Sequence, residues 1–382
     1  MAADVVVVGG GIVGLSAAYY LAGEGARVTL VERQRPGAGA TGASAGMLAA
    51  QLEPSGPGPL FDMALRARDL YGSLAADLLA ETGVDIGLVR GGILALAPAG
   101  PEPAGDPDGE AARLRDAVRW QNEAGAAAAW WEPAQVEAYV PGVQRCLGGL
   151  YAERDAFLVP EHAAFALAAA CRRRGVEVLN GVQVTGFLRD GARVTGVRTD
   201  AGDRAAGEVV LAAGAWSGSL AALLDLHVPV LPVRGQILVL DPEPDRAGGD
   251  WRSRGTPVYS DHSYLVPRRD GRVLVGATVE PGEWRAEPTA AGLAHLAGVV
   301  RRIVPALEAA AVIGWRVGLR PGTPDGLPVI GRPEGRPGLV LATGHFRNGI
   351  LLGPLTGRLV AALCAGRRPE IDLTPFSPDR FG

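Results

Sequence analysis

Short hydrophobic runs near the N-terminus predict a strand, a helix and a second strand. Residues 5–8 are four consecutive valines, a pattern typical of a strand that is buried on both faces. Three glycines follow, and residues 12–24 have the pattern of a helix with Gly25 just beyond its end. Residues 27–32 predict the second strand. Together these elements predict a βαβ unit, which needs about 30 residues.

Helical and strand-like patterns continue along the rest of the chain. Helices are predicted at residues 60–82, 111–124, 161–174 and 349–365. Strands are predicted at residues 91–97, 176–179, 184–189, 193–200, 209–212, 228–240, 263–267, 273–278 and 339–342. Residues 33–59 and 98–108 are rich in glycine, alanine and proline, which predicts a long loop and a flexible surface insertion.

The glycine turn after the first strand has the spacing of a dinucleotide-binding loop. Gly9, Gly11 and Gly14 form the pattern GxGxxG between the strand and the helix. The first glycine permits a tight turn, the second lets a pyrophosphate approach the backbone, and the third lets helix and strand pack closely. Glu32 ends the second strand, where a carboxylate accepts hydrogen bonds from ribose and disfavours the 2′-phosphate of NADP. Such turns also occur for packing alone, but here all parts of the unit agree on a dinucleotide.

The chain is long enough for two domains. Its 382 residues exceed one ordinary hydrophobic core, and 48% of them are hydrophobic. The elements suited to nucleotide binding lie at the start, in the middle and at the end of the chain. We therefore expect a discontinuous nucleotide-binding domain of residues 1–85, 152–219 and 318–382, and a substrate domain of residues 86–151 and 220–317.

Charge and cysteine content argue against several classes of protein. The net charge is −4, every basic residue is arginine, and no basic stripe indicates a nucleic-acid partner. Residues 5–22 carry no charge, but Asp4 precedes them and glycines interrupt them, so no membrane span is expected. Three scattered cysteines and five histidines show neither disulfide nor metal-ligand spacing. These features predict a cytoplasmic protein without a metal site.

Two arginines stand in glycine-rich segments of the C-terminal third. Arg320 lies in residues 318–326, which predict a turn, and Arg347 lies in residues 344–349, just before the last helix. Two guanidinium groups in rigid turns can converge on a carboxylate, which each binds through two hydrogen bonds. The alternative is two surface arginines in ordinary turns, and spacing alone leaves both open. Tyr264 lies in a predicted strand, where a tyrosine is more often a sheet residue than a catalytic one.

Five motifs resemble, in sequence and order, those of the glycine oxidases of bacterial thiamine biosynthesis, which belong to the D-amino-acid oxidase superfamily of FAD-dependent oxidoreductases. The motifs are residues 9–14 (GGGIVG), 45–48 (AGML), 264–268 (YLVPR), 318–323 (GLRPGT) and 344–352 (GHFRNGILL). They extend from the first strand to the last helix. The resemblance implies an α/β fold in which an FAD-binding Rossmann-like domain of the glutathione-reductase type is joined to an α+β substrate domain built on an antiparallel sheet.

The resemblance also implies roles for individual residues. Arg320 and Arg347 would hold the substrate carboxylate and Tyr264 would donate from its hydroxyl, which makes these three the catalytic and substrate-binding residues. The implied cofactor-binding residues are Gly9, Gly11, Ile12, Val13, Gly14, Glu32, Arg33, Ala40, Thr41, Ala45, Gly46, Met47, Val184, Gly214, His345, Phe346, Arg347, Asn348, Gly349, Ile350 and Leu351. No cysteine lies near Arg320, where sarcosine oxidases attach flavin, so FAD is expected to bind non-covalently. Val279 stands where methionine is expected, which would alter the pocket wall.

The implied reaction is FAD-dependent oxidative deamination of glycine and other small amines or D-amino acids, such as sarcosine, D-alanine and D-proline. Dioxygen would be the second substrate, and an imine or 2-oxo acid, ammonia and hydrogen peroxide the products, in the formation of the thiamine thiazole. Three alternatives stay open: a D-amino-acid or sarcosine oxidase, a dehydrogenase that passes electrons to a quinone or partner protein, and a non-catalytic flavin-binding module. A homo-oligomer such as a tetramer is compatible with the resemblance, but the sequence does not determine the oligomeric state.

Overall fold

The computed structural model describes residues 3–99, 107–140, 142–242, 255–260 and 263–381. Most of the predicted surface insertion, residues 100–106, lies outside the described residues. The helices are α1 (Ile12–Gly23), α2 (Ala40–Ala43), α3 (Pro59–Thr82), α4 (Pro107–Glu123), α5 (Pro133–Tyr139), α6 (Pro160–Arg173), α7 (Ser217–Ala222), α8 (Ala290–Ile303) and α9 (Gly349–Cys364). The strands are β1 (Ala3–Val8), β2 (Val28–Glu32), β3 (Met47–Leu48), β4 (Val89–Arg90), β5 (Ile93–Pro98), β6 (Ala129–Trp131), β7 (Cys146–Ala152), β8 (Ala156–Phe157), β9 (Glu177–Asn180), β10 (Val184–Asp190), β11 (Arg193–Thr199), β12 (Arg204–Leu211), β13 (Leu231–Asp241), β14 (Val258–Ser260), β15 (Ser263–Pro267), β16 (Val273–Gly276), β17 (Glu280–Pro281), β18 (Ala311–Gly322), β19 (Val329–Gly331) and β20 (Leu339–Thr343).

A first sheet contains the predicted βαβ unit. Its parallel strands lie in the order β9-β2-β1-β12-β20, and β10 and β11 form an antiparallel hairpin beside β12. Val5 and Val7 of β1 pack in the core that α1, α3, α6 and α9 share, whereas Val6 and Val8 pack in the core on the other face. The prediction of a strand buried on both faces is therefore confirmed. Helices cover one face of the sheet, and the β10–β11 hairpin with residues 220–230 covers the other, which explains the continuous valine run.

A second, mainly antiparallel sheet is built from later segments of the chain. Its order is β17-β13-β16-β15-β14-β5-β7-β6, and β18 pairs with β13 along its whole length. Helix α8 packs on one face and supplies Leu296, Val300 and Ile303 to the core. The sequence prediction missed α8, although these residues recur at helical spacing and the Thr289 hydroxyl caps the helix by accepting from Gly292 N at 3.1 Å.

The predicted turn at residues 318–326 is wrong in its first half. Residues 318–322 are the end of β18, where Arg320 is paired with Val233 and Pro321 with Pro232. Pro321 has no N–H group to donate. This is tolerated because, within the described residues, β13 is the only strand paired with β18, so no second strand needs that donor. The chain turns only afterwards, where Gly326 N donates to Thr323 O at 3.2 Å.

Candidate active site

One cavity of about 580 Å³ is lined by residues of both sheets. That volume is typical of small-molecule and cofactor sites. The first sheet contributes Val8 and Val31, and the second contributes Ile237, Tyr264 and Arg320. Residues 38–41, 43–47, 212–216 and 345–350 complete much of the wall. The N-terminal glycine turn and the two C-terminal arginines therefore face the same space.

The glycine turn has the geometry that close packing and a nearby ligand require. Gly9 adopts φ +104°, and a Cβ there would overlap the Ala212 carbonyl. A Cβ on Gly14 would overlap the Gly9 carbonyl, so Gly14 permits the contact of helix and strand. Gly11 lines the cavity, and a Cβ there would approach only Thr41 Oγ1, at 3.4 Å. Ile12 N already donates to Thr41 Oγ1 at 3.0 Å, but the N–H groups that follow in the first turn have no acceptor within the helix, so the start of α1 offers donors and a positive dipole end at this wall.

Glu32 is fixed beside this turn by backbone donors. Its carboxylate accepts from Gly10 N at 2.7 Å and from Gln34 N at 2.8 Å. The neighbouring Arg33 lies over the Trp216 ring, with its guanidinium carbon 3.6 Å from the ring centroid. The wall next to the glycine turn thus combines a carboxylate, a cation and an aromatic face.

Most of the residues predicted to bind the cofactor line the cavity. Gly14 and Leu351 do not: Gly14 packs against the Gly9 carbonyl, and Leu351 is buried in the core. Val279 is 45% exposed and does not line the cavity, so its side chain does not form the wall that the sequence comparison suggested. The predicted residues that line it are Gly9, Gly11, Ile12, Val13, Glu32, Arg33, Ala40, Thr41, Ala45, Gly46, Met47, Val184, Gly214, Tyr264, Arg320, His345, Phe346, Arg347, Asn348, Gly349 and Ile350.

Arg320 and Tyr264 stand over glycines of the neighbouring strands. The Arg320 guanidinium occupies the space that a Cβ on Gly235 would need, and the Tyr264 ring does the same over Gly276. Arg320 Nη1 donates to Thr278 O at 3.0 Å, and the Tyr264 hydroxyl stands beside the guanidinium. Burial lowers the pKa of Arg320 and raises that of Tyr264. Arginine nevertheless stays charged, and the phenol stays protonated and able to donate.

Arg347 is held differently, by an acid. Its Nε lies 3.0 Å from Oε2 of Glu53, and Nη2 donates to the Tyr259 hydroxyl at 3.1 Å. Burial acts to lower the pKa of Arg347, but Glu53, Tyr259 and Tyr264 together outweigh burial and raise it. Glu53 also lines the cavity, whereas Tyr259 supports Arg347 from β14. Arg347 and Glu53 therefore form an ion pair at the cavity wall.

His345 lines the cavity as a neutral group. Its Nε2 lies 2.9 Å from Thr356 Oγ1, one of the buried polar groups of α9. Burial lowers the pKa of His345 to about 3. At neutral pH the imidazole is therefore uncharged, and its ring joins the start of α9 to the body of the helix.

Sequence reasoning missed several residues around the arginines. Glu53 lies in a segment predicted as loop, and Gly235 and Gly276 lie inside predicted strands without a turn to mark them. Each acts through a partner that is remote in sequence: Glu53 and Arg347 are separated by 294 positions. No local sequence pattern predicts contacts between residues so far apart in the chain. A glycine inside a strand does indicate close approach of another group, and this signal was present.

The residues of the cavity fit FAD. The Cβ-free wall at Gly11 and the helix start suit a pyrophosphate, and Glu32 suits a ribose. All three cysteines are free, and none lines the cavity. In the part of the chain that the structure describes, no cluster of three or more His, Cys, Asp or Glu residues could hold a metal, and no helix is long and apolar enough to cross a membrane. The fold and site together define a dinucleotide-dependent oxidoreductase.

Comparisons with known proteins define the family. Residues 4–363 match the family model described as FAD dependent oxidoreductase (DAO). The chain is 35% identical to glycine oxidase of Bacillus subtilis over 383 residues, which cover 99% of this chain and 97% of that protein. The crystal structure of glycine oxidase from Geobacillus kaustophilus matches with a TM-score of 0.91 and 35% identity over 98% of both chains. L-Proline dehydrogenase from P. horikoshii matches with a TM-score of 0.86 and 25% identity, covering 100% of this chain and 98% of that one.

The chain therefore belongs to the FAD-dependent oxidoreductase (DAO) family. Its cofactor is FAD, it is an FAD-dependent amine oxidase, and the predicted family and fold class are confirmed.

Proposed function

We propose that this enzyme oxidises glycine and related small amines or D-amino acids to the imine, which for glycine and D-alanine water hydrolyses to the 2-oxo acid and ammonia. The observation that carries the proposal is Arg320, a half-buried arginine whose guanidinium lies at the cavity wall. Among the described residues no carboxylate lies within ion-pair distance of it, and Tyr264 stands next to it. Such a cation is suited to a substrate carboxylate. The glycine oxidase relatives support the same substrate class.

In this proposal the residues of the cavity bind and orient the substrate. Arg320 receives the substrate carboxylate through two N–H donors, and the Tyr264 hydroxyl donates to the same group. FAD, when bound, would supply the acceptor for the hydride, which carries both electrons, and dioxygen would take up these two electrons and two protons to give hydrogen peroxide. The substrate amine has to be neutral so that its lone pair can assist the loss of hydride. The start of α9, at Gly349 and Ile350, places a positive dipole end at the cavity wall, which stabilises negative charge there.

We also propose that the two sheets correspond to the two predicted domains. The first sheet would carry FAD and the second the substrate, with the cavity lined by both. The predicted boundary at residues 317–318 falls inside β18, so we move it to the end of that strand, after Gly322. Non-covalent FAD, a role in thiamine thiazole formation, a cytoplasmic location and a homo-oligomer such as a tetramer remain part of the proposal.

A substrate panel tests the proposed reaction. Purified holoenzyme is assayed with glycine, sarcosine, D-alanine and D-proline; hydrogen peroxide is measured with all four, and ammonia with glycine and D-alanine, which carry primary amines. We expect turnover with glycine and stoichiometric peroxide. Turnover confined to D-alanine or D-proline would assign the enzyme to D-amino-acid oxidation, and turnover confined to sarcosine would assign it to sarcosine oxidation.

A dehydrogenase is the second candidate function. The match to an L-proline dehydrogenase structure favours it, because the same fold is found in a protein of that name. This candidate predicts little peroxide in air and faster reduction of an artificial dye by the same substrate. The ratio of peroxide formation to dye reduction separates the two functions.

A further inference from the structure

Three charged side chains stand together in the part of the cavity that faces Tyr264. They are Arg320, Arg347 and Glu53, whose formal charges of +1, +1 and −1 leave +1. The two arginines differ in what neutralises them. Glu53 pairs with Arg347 at 3.0 Å, and both side chains are only 12% exposed. Arg320 instead donates to a carbonyl, Thr278 O, and stands beside the neutral phenol of Tyr264.

The ion pair changes what Arg347 can bind. A second anion at Arg347 would come close to the Glu53 carboxylate in a largely buried place, where like charges repel strongly. Among the described residues no carboxylate lies within ion-pair distance of Arg320, although the charge of Glu53 also reaches its guanidinium, so an anion there is repelled less than one placed at Arg347 itself. The wall thus offers one cation for one carboxylate, although it contains two arginines.

We propose that Glu53 is a specificity-determining residue that limits the enzyme to substrates with a single carboxylate. This inference rests on the proposed function, since it assumes that Arg320 takes the substrate carboxylate. Small neutral amino acids and amines meet the limit. Dicarboxylates of similar size do not, because their second carboxylate has to replace or approach Glu53.

Binding of acetate and malonate to the holoenzyme tests the proposal without turnover. At mildly alkaline pH, acetate carries one negative charge and malonate two, and each is titrated while the flavin absorbance is followed. The wild-type enzyme should bind acetate at least as tightly as malonate. In E53Q, whose amide can still accept from Arg347, the affinity ratio should shift towards malonate by about tenfold or more. E53D keeps the charge and should keep the wild-type ratio.

The matched control is E81Q. Glu81 forms an ion pair with Arg174 and does not line the cavity, so this variant should leave the ratio unchanged. Tighter binding of malonate than of acetate by the wild-type enzyme would overturn the proposal, as would an unchanged ratio in E53Q. The wild-type ratio needs no variant, so it decides the matter even if E53Q fails to fold. Reduction of the flavin by glycine is measured separately. If the affinity ratio shifts in E53Q but glycine does not reduce the flavin of the wild-type enzyme, the proposed function is refuted and the charge selection by Glu53 stands.

Discussion

At the residue scale, the chemistry of the cavity depends on which buried charges have partners. Arg320 keeps its donors for an incoming carboxylate, apart from the one that it gives to Thr278 O. Arg347 is already paired with Glu53. The two arginines that the sequence suggested as equivalent are therefore different: the first is suited to the substrate, and the second is suited to shaping the charge around it.

Replacing Arg320 with leucine should remove substrate binding and leave FAD bound. A substrate carboxylate buried without its cation loses several kcal/mol of binding, so kcat/KM for glycine should fall by about 100-fold, mainly through KM. Steady-state kinetics and the flavin spectrum check both parts. Arg272→Leu is the control, because Arg272 pairs with Asp270 in an exposed turn. An unchanged KM in R320L would refute the assignment of Arg320.

His345 should make the stability of the protein depend on pH. The unfolded chain protonates this imidazole near its ordinary pKa of 6.5, whereas the folded protein does so only at about 3. The folded state is therefore fully stabilised above pH 6.5 and loses stability as the pH falls from 6.5 towards 3, by about 1.4 kcal/mol per pH unit at most. In His345→Asn this slope should disappear.

Urea unfolding of the FAD-saturated protein at several pH values in that window measures the slope. His162→Asn, at an exposed histidine, is the control and should behave as the wild type does. Equal slopes in the wild type and H345N would contradict a buried neutral His345.

At the element scale, the sequence predicted most helices and strands because their buried apolar residues recur at regular spacing. The βαβ unit, with its valine run, glycine turn and acidic strand end, is local and was readable in about 30 residues. The end of β18 at residues 318–322 was not, because glycine and proline predict a turn but are tolerated in a strand with a single neighbour. The sequence also did not predict the side-chain contacts of the active site, because Gly235 contacts Arg320 only once β13 and β18 have paired.

Two substitutions in the glycine turn should have different effects, one on folding and the other on FAD binding. In Gly14→Ala the new Cβ would overlap the Gly9 carbonyl, which is backbone and cannot move aside, so the yield of folded protein should drop sharply. In Gly11→Ala the new Cβ meets only Thr41 Oγ1, so the protein should fold but bind FAD more weakly, by about tenfold. FAD titration of the apoprotein checks this. Gly314→Ala, in open space, is the control; equal FAD affinity in G11A and G314A would contradict the role of Gly11.

Strand β13 should control the position of Arg320. A Cβ on Gly235 would overlap the guanidinium, which is the movable end of a side chain, so Gly235→Ala should fold and displace it. We expect a raised KM for glycine with FAD affinity unchanged, as in a milder form of R320L. Kinetics measured beside FAD titration separate this result from general misfolding. A wild-type KM in G235A would show that the guanidinium does not depend on this glycine.

At the scale of the whole molecule, two sheets assembled from interleaved segments enclose one cavity. The N-terminal turn supplies the nucleotide wall, and segments near the C-terminus supply the arginine and the last helix. The family match over residues 4–363 spans all of them. The activity is therefore a property of the complete fold, since no single segment contains both the nucleotide wall and the substrate cation.

The proposed oxidation of glycine is tested most directly by anaerobic titration of the purified holoenzyme with glycine while the flavin absorbance is followed. We expect a yellow protein whose oxidised flavin bands disappear as glycine is added. These bands should return, with formation of hydrogen peroxide, when air is admitted. R320L should require far more glycine for the same change. A flavin that no concentration of glycine, sarcosine, D-alanine or D-proline reduces would contradict amino-acid oxidation by this protein.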